Sequence, residues 1–218
     1  LELNLSLPAE RVKPMRMLPV LQKITNKFVD RAVESFVVDD QEISCQAGCG
    51  ACCRQPIPLA EIEVYQIAKL VRDLPEPRRT AVKKKFAEAC EQLKKIDWFE
   101  RLENVFIESS PSKKEELRQM ALEYFAQKIA CPFLEEESCS IYQNRPLSCR
   151  EFLVTSPAEN CQNPTPDNIS HIDLKFKIST MIRELWKTEN LANASFVTMI
   201  YALEWVEKHP DKFAEKPG

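Results

Sequence analysis

The sequence predicts a mainly α-helical protein, a helical scaffold that sets two cysteine-rich irregular loops against each other. Three observations carry this. Apolar residues recur at helical spacing along most of the chain. No series of alternating strands and no repeat at a solenoid period appears. Two segments that break the periodicity hold eight of the nine cysteines.

Taken in order, Leu1, Leu3, Leu5 and Leu7 alternate with polar residues, the pattern of a short strand or an extended arm. After Pro19, the apolar positions Leu21, Ile24, Phe28, Ala32 and Phe36 predict a first helix. A second helix is expected through Leu59, Ile62, Ile67, Val71 and Leu74, with Pro58 in its first turn and Pro75 and Pro77 closing it. A third runs through Val82, Phe86, Ala89, Cys90, Leu93 and Ile96 and extends as far as Phe106, with Lys83, Lys84 and Lys85 on its solvated face. Ser112 with Glu115 reads as a capping box opening a fourth helix, whose Leu117, Ala121, Tyr124 and Ile129 share one side before Cys131-Pro132. From Cys131 to about Ile169 the periodicity is lost and prolines multiply, so this is a loop-rich segment. Two final helices are predicted over Ile172–Trp186 and Ala194–Lys208.

At 218 residues with 44% hydrophobic content, the chain has material for a packed core without disulfides and reads as a single domain over 1–218. Thirty basic and 33 acidic residues give a formal charge of -3, which leaves no basic excess for a nucleic-acid partner. The longest apolar run, Leu191 to Val206, is too short for an ordinary membrane span and predicts a buried helix. Nine cysteines, an odd number, with no signal-like start point to free thiols in a reducing compartment, hence a cytoplasmic protein.

The first cysteine block, CQAGCGACC, holds Cys45, Cys49, Cys52 and Cys53 in a C-x3-C-x2-C-C pattern within residues 45–53. Short intervals let one loop wrap several thiolates around a metal, and Gly48 and Gly50 supply the positive φ values such a wrap uses. The second block, 131–161, spaces Cys131, Cys139, Cys149 and Cys161 by seven, nine and eleven residues. Four plus four matches two tetrathiolate sites. Adjacent Cys52 and Cys53 project in different directions, so they are expected to serve different metals or one polynuclear centre, each site drawing on both blocks. Soft thiolates select zinc or iron–sulfur, and neither His171 nor His209 lies in a block, which argues against a Cys/His finger. Arg145 and Arg150 flank Cys149 and are the expected cations beside the thiolate charge. Cys90, alone at an apolar helical position, is read as a core thiol, and His171 and Tyr142 are given no catalytic role. The C-x3-C-x2-C interval also fits a radical S-adenosylmethionine loop. That class needs a β/α barrel and glycine-rich motifs, against three glycines among helices here.

The string CQAGCGACC followed by CPFLEEESCSIYQNRPLSCREF resembles the bacterial YkgJ-type cysteine-cluster family, described as zinc- or iron-chelating. The resemblance implies that Cys45, Cys49, Cys52, Cys53, Cys131, Cys139 and Cys149 are metal ligands, with Cys161 matching a later cysteine that some members carry. A similar cysteine pattern occurs in flagellin lysine N-methylase.

The primary expectation is therefore a protein holding an iron–sulfur cluster, [4Fe–4S] first, or zinc through eight cysteines, for redox chemistry, sensing or metal handling. One alternative is an S-adenosylmethionine-dependent protein lysine methyltransferase with the cluster as a structural or redox element. The other is a zinc-braced module for a protein partner. Catalytic residues are not assignable, because no S-adenosylmethionine glycine loop and no nucleophile–base pair stand out.

Overall fold

The computed structural model describes residues 4–38, 42–107, 112–165, 167–172, 174–185, 196–210 and 216–217. Among them are eight α-helices: α1 Leu18–Val38, α2 Glu61–Asp73, α3 Arg78–Lys94, α4 Trp98–Ile107, α5 Lys113–Ala126, α6 Leu147–Glu151, α7 Ile178–Leu185 and α8 Ala202–Lys208. Strands are confined to two-residue pairs, all antiparallel. β1 (Arg11–Val12) joins β6 (Lys216–Pro217), β2 (Pro58–Leu59) joins β5 (Val197–Thr198), and β3 (Leu134–Glu135) joins β4 (Ser138–Cys139). The chain is mainly α-helical, as its periodicity predicts.

Local chemistry sets the helix ends. α2 starts where the Ala60 N–H donates to the Glu63 carboxylate at 3.0 Å, one arm of a capping box. It ends where Leu74 turns extended (ψ 141°) ahead of Pro75. The long third helix expected to reach Phe106 is two helices, because Asp97 takes a left-handed φ of 53° between α3 and α4. α5 stops at Ala126 and Lys128 is left-handed (φ 56°), so Ile129 packs from beyond the helix. Ser112 does stand at the N-cap of α5, but its hydroxyl donates to Glu116.

Three further expectations are corrected. Pro58 is in a strand, not a first helical turn. It lacks an N–H, yet it can pair at this short edge with Thr198, and the adjacent Met199 N–H donates to Ile57 O at 2.8 Å. That same pairing delays the last helix: β-branched Val197 and Thr198 are extended, and α8 begins only at Ala202. The helix expected from Ile172 begins at Ile178, because His171 bridges Val154 and the Glu151 carboxylate accepts the Ser179 N–H and hydroxyl, capping α7. Leu1, Leu3, Trp186, the start of the run at Leu191 and the expected helix start at Ala194 lie outside the described residues. Asn4 to Leu7 form no strand, and Leu7 is exposed.

Packing gathers these elements around the cysteine segments. The largest apolar cluster joins α2 (Val64, Ile67, Val71), α3 (Val82, Phe86) and α8 (Ala202, Trp205) to Phe133, and Cys131 is buried within it. A second cluster sets Trp98 and Tyr124 edge to face at 5.6 Å, with the Trp98 indole N–H donating to Met120 O at 3.1 Å. A third joins Leu18, Ile62, Leu147, Ile178 and Ile182 across α1, α2, α6 and α7. A small fourth comprises Ala51, Val154 and Cys161. No helix among the described residues is long and apolar enough to cross a membrane.

Candidate metal centre

The first block folds as a turn followed by one short 3-10 segment. Cys49 N–H closes on Gln46 O at 3.2 Å, and Gly48 sits at φ +82°, where a side chain would be strained. Gly50 is needed for a different reason from the one expected. Its φ is −93°, and a Cβ there would stand 2.7 Å from both Leu134 Cδ1 and Glu137 Oε2. The 3-10 segment Ala51–Arg54 then carries Cys52 and Cys53, whose thiols, expected to project apart, instead lie within hydrogen-bonding reach of each other.

The second block spreads its cysteines over separate elements. Cys131 begins the approach to the hairpin, and its N–H donates to Cys53 O at 2.7 Å, stitching the two blocks together. Cys139 ends β4, Cys149 sits inside α6, and Cys161 is buried in the 3-10 segment Ala158–Gln162. The first block is also tied to the segment after α6: Ser44 N–H donates to Val154 O at 2.9 Å, and Val154 N–H to Cys45 Sγ at 3.2 Å.

Electrostatic influence sorts the thiols into two neighbourhoods. Cys161 feels Cys45, Cys49 and Cys52, and Cys45 feels Cys52 and Cys49. Cys149 feels Cys131, Cys52 and Cys139, while Cys53 feels Cys52, Cys131 and Cys149. Cys52 thus faces both groups. Its thiol is lowered to about 7 by a hydrogen bond from Cys53, whose own pKa that shared proton and burial push up. Burial raises Cys131 to about 12 and holds Cys149 well above the ordinary thiol value.

Cys90 stands apart from these groups. It is buried on α3, donates to Ile200 O at 3.0 Å, and burial raises it to about 11.

The three arginines near the blocks differ in what they do. Arg145 stacks over the Tyr142 ring at 3.9 Å, and its buried Nε has no hydrogen-bond partner. Burial raises the Cys45 and Cys139 thiols and the Cys53 hydrogen bond lowers Cys52, and the Arg145 charge pulls all three downward, so it is a cation beside both groups. Arg150 donates to Arg145 O at 3.0 Å, Gln143 O at 2.5 Å and Asn26 Oδ1 at 3.0 Å. It ties α6 to α1 and to the preceding turn.

Arg54, which the sequence reading did not single out, follows Cys53 directly and reaches across to the second block. It donates to Gly50 O at 2.9 Å and bidentately to Glu137 at 2.9 and 2.6 Å. An arginine after a double cysteine is visible in the sequence, but the Glu137 that meets it is not.

Among the described residues, no three histidine, cysteine, aspartate or glutamate side chains already stand in an arrangement that could hold a metal ion. The donor chemistry fits zinc or iron–sulfur: eight thiols, a cation facing both groups and an unpaired buried guanidinium N–H beside them.

Residues 44–167 match a family of domains named for the pattern CxxCxxCC and described as a "putative zinc- or iron-chelating domain". Three residues separate Cys45 from Cys49 where that pattern has two. No curated protein and no solved structure matches the chain.

Proposed function

Because the chain belongs to the CxxCxxCC family of zinc- or iron-chelating domains, we propose that it holds zinc or an iron–sulfur centre through eight cysteines in two four-thiol sets. The outer set is Cys45, Cys49, Cys52 and Cys161; the inner set is Cys53, Cys131, Cys139 and Cys149. Cys52 borders both, which suits two adjacent metals or one polynuclear centre.

The observation that carries this reading is selective convergence. Cys53, Cys131, Cys139 and Cys149 lie in or against one apolar cluster and Cys49 and Cys161 in or against another, with the Cys131 N–H donating to Cys53 O at 2.7 Å across the blocks, while Cys90 is held against Ile200 O. The metal supplies the bonds that close the thiols into coordination distance, so its binding and the ordering of both loops are one event. Arg145 offsets the surplus negative charge of the thiolates, and Arg150 fixes the angle of the helix bearing Cys149. The chain acts as a single domain in this reading, since both sets draw on both cysteine blocks.

Elemental analysis and absorption spectroscopy of anaerobically purified protein test it. Two zinc ions in a colourless protein would assign a structural or metal-handling role. Iron with sulfide and a brown colour would assign a redox or sensing role. Cys52→Ser is expected to deplete both sets. Protein purified without zinc or iron, and taking up neither on reconstitution, would sink the proposal.

A further inference from the structure

The two cysteine blocks are joined at the hairpin β3–β4 by a contact that the thiols do not make. The hairpin turns on Glu136 and Glu137, both left-handed at φ 47° and 56°. Two-residue hairpin loops favour this geometry but normally fill it with asparagine and glycine, so a pair of glutamates carries backbone strain. In this position Glu137 reaches Arg54, the residue after Cys53. The absence of a side chain on Gly50 leaves room for the approach, since a Cβ there would meet Glu137 Oε2 and Cα at 2.7 and 3.1 Å. Arg54 therefore fastens three things at once: the Gly50 carbonyl at the entry to the Cys52–Cys53 turn, the Glu137 carboxylate at the hairpin tip, and so the strand that ends in Cys139.

We propose that Arg54 is a positioning residue for the sulfur centre, locking the Cys52–Cys53 turn to the Cys139 hairpin through Gly50 O and Glu137 and placing a fixed positive charge beside Cys53. The inference rests on the eight-cysteine reading and goes beyond it by naming a residue outside the ligand set. The pair is partly exposed, with 31% of the Arg54 side chain and 54% of the Glu137 side chain open to solvent. An ion pair this open to solvent adds little to fold stability, too little to explain a strained turn built around it. The same hairpin offers an internal control, because Arg78 pairs with Glu135 at 3.2 Å from α3 and touches neither cysteine turn.

The test is a competition titration of zinc(II) against a chromophoric chelator in the full chain. Where the wild type carries a reconstituted iron–sulfur cluster instead, the rate of cluster loss in air replaces it. Wild-type protein that holds neither metal removes the underlying reading. If the wild type binds, Arg54→Gln and Glu137→Gln are expected to weaken binding by about ten- to a hundredfold, the usual effect of losing a group that orients ligands. Arg54→Lys, which keeps the charge without the two-pronged contact, is expected to fall between. Arg78→Gln is expected to bind as the wild type does. Circular dichroism at saturating zinc separates lost affinity from lost fold. Equal affinity in Arg54→Gln, or an equal loss in Arg78→Gln, would overturn the inference.

Discussion

The proposed inner and outer thiol sets rest on different foundations. Cys131, Cys139, Cys149 and Cys53 lie in or against the largest apolar cluster, beside Phe133 and its edge-to-face partner Phe86 at 5.7 Å. The outer set leans on the small Ala51–Val154–Cys161 cluster, and Cys45 is exposed. Thiols held against a large apolar cluster, as Cys131 and the half-buried Cys53, Cys139 and Cys149 are, have little freedom left to lose when they close on a metal, whereas the exposed Cys45 turn must be ordered first. The inner set should therefore bind first and lose most when broken.

The largest expected effect comes from the inner set. Cys131→Ser should remove its metal and lower the stability of the loaded protein by several kcal/mol, the scale of a structural metal site. Metal analysis with denaturant unfolding measures both, and a variant retaining full metal would collapse the distinction between the sets. Cys45→Ser, on the exposed loop, should lose outer metal while leaving unfolding of the rest less altered.

Gly50→Ala probes the seam between the sets. Its methyl group meets the ends of the Leu134 and Glu137 side chains at 2.7 Å and Glu137 Cα at 3.1 Å, so both side chains turn aside and the hairpin backbone gives slightly, at a cost of about 1 kcal/mol. Metal affinity should fall in the inner set first, because Cys139 moves with the hairpin. A stepwise zinc titration would reveal it.

A smaller effect tests the support beneath Cys149. Glu63 is buried, accepts the N–H groups of Ala60 and Leu147, and is raised by desolvation from 4.5 to about 7. A raised acid is protonated in the folded chain at a pH where the unfolded chain has already ionised. Its penalty thus grows as pH rises from 4.5 through 7, is complete well above 7 and gone below 4.5, and amounts to roughly 3 kcal/mol. In metal-free protein the wild type should gain stability relative to Glu63→Gln as pH falls from 7.5 to 5.5, and a constant difference would refute this. The smallest change belongs to Cys90→Ser, expected to leave metal content untouched and to alter stability by about 1 kcal/mol through its bond to Ile200 O.

Helices and ligand candidates were legible from sequence because both are local properties. A 3.6-residue apolar repeat marks α1, α2, α3 and α5 without knowledge of their partners, and clustered cysteines announce thiolate chemistry by their spacing alone. The breaks at Asp97 and the late starts of α7 and α8 were not legible. They depend on a left-handed residue no motif marks, on the Glu151 cap and on the pairing of Pro58–Leu59 with Val197–Thr198.

The sequence by itself determined a helical protein carrying eight grouped cysteines and a ninth apart. Tertiary structure alone decided which thiols neighbour which, why Gly50 must lack a side chain, and that Arg54 rather than Arg150 spans the two blocks. These depend on contacts between residues such as Arg54 and Glu137, 83 positions apart, and no local pattern encodes a pairing set by packing of the whole chain.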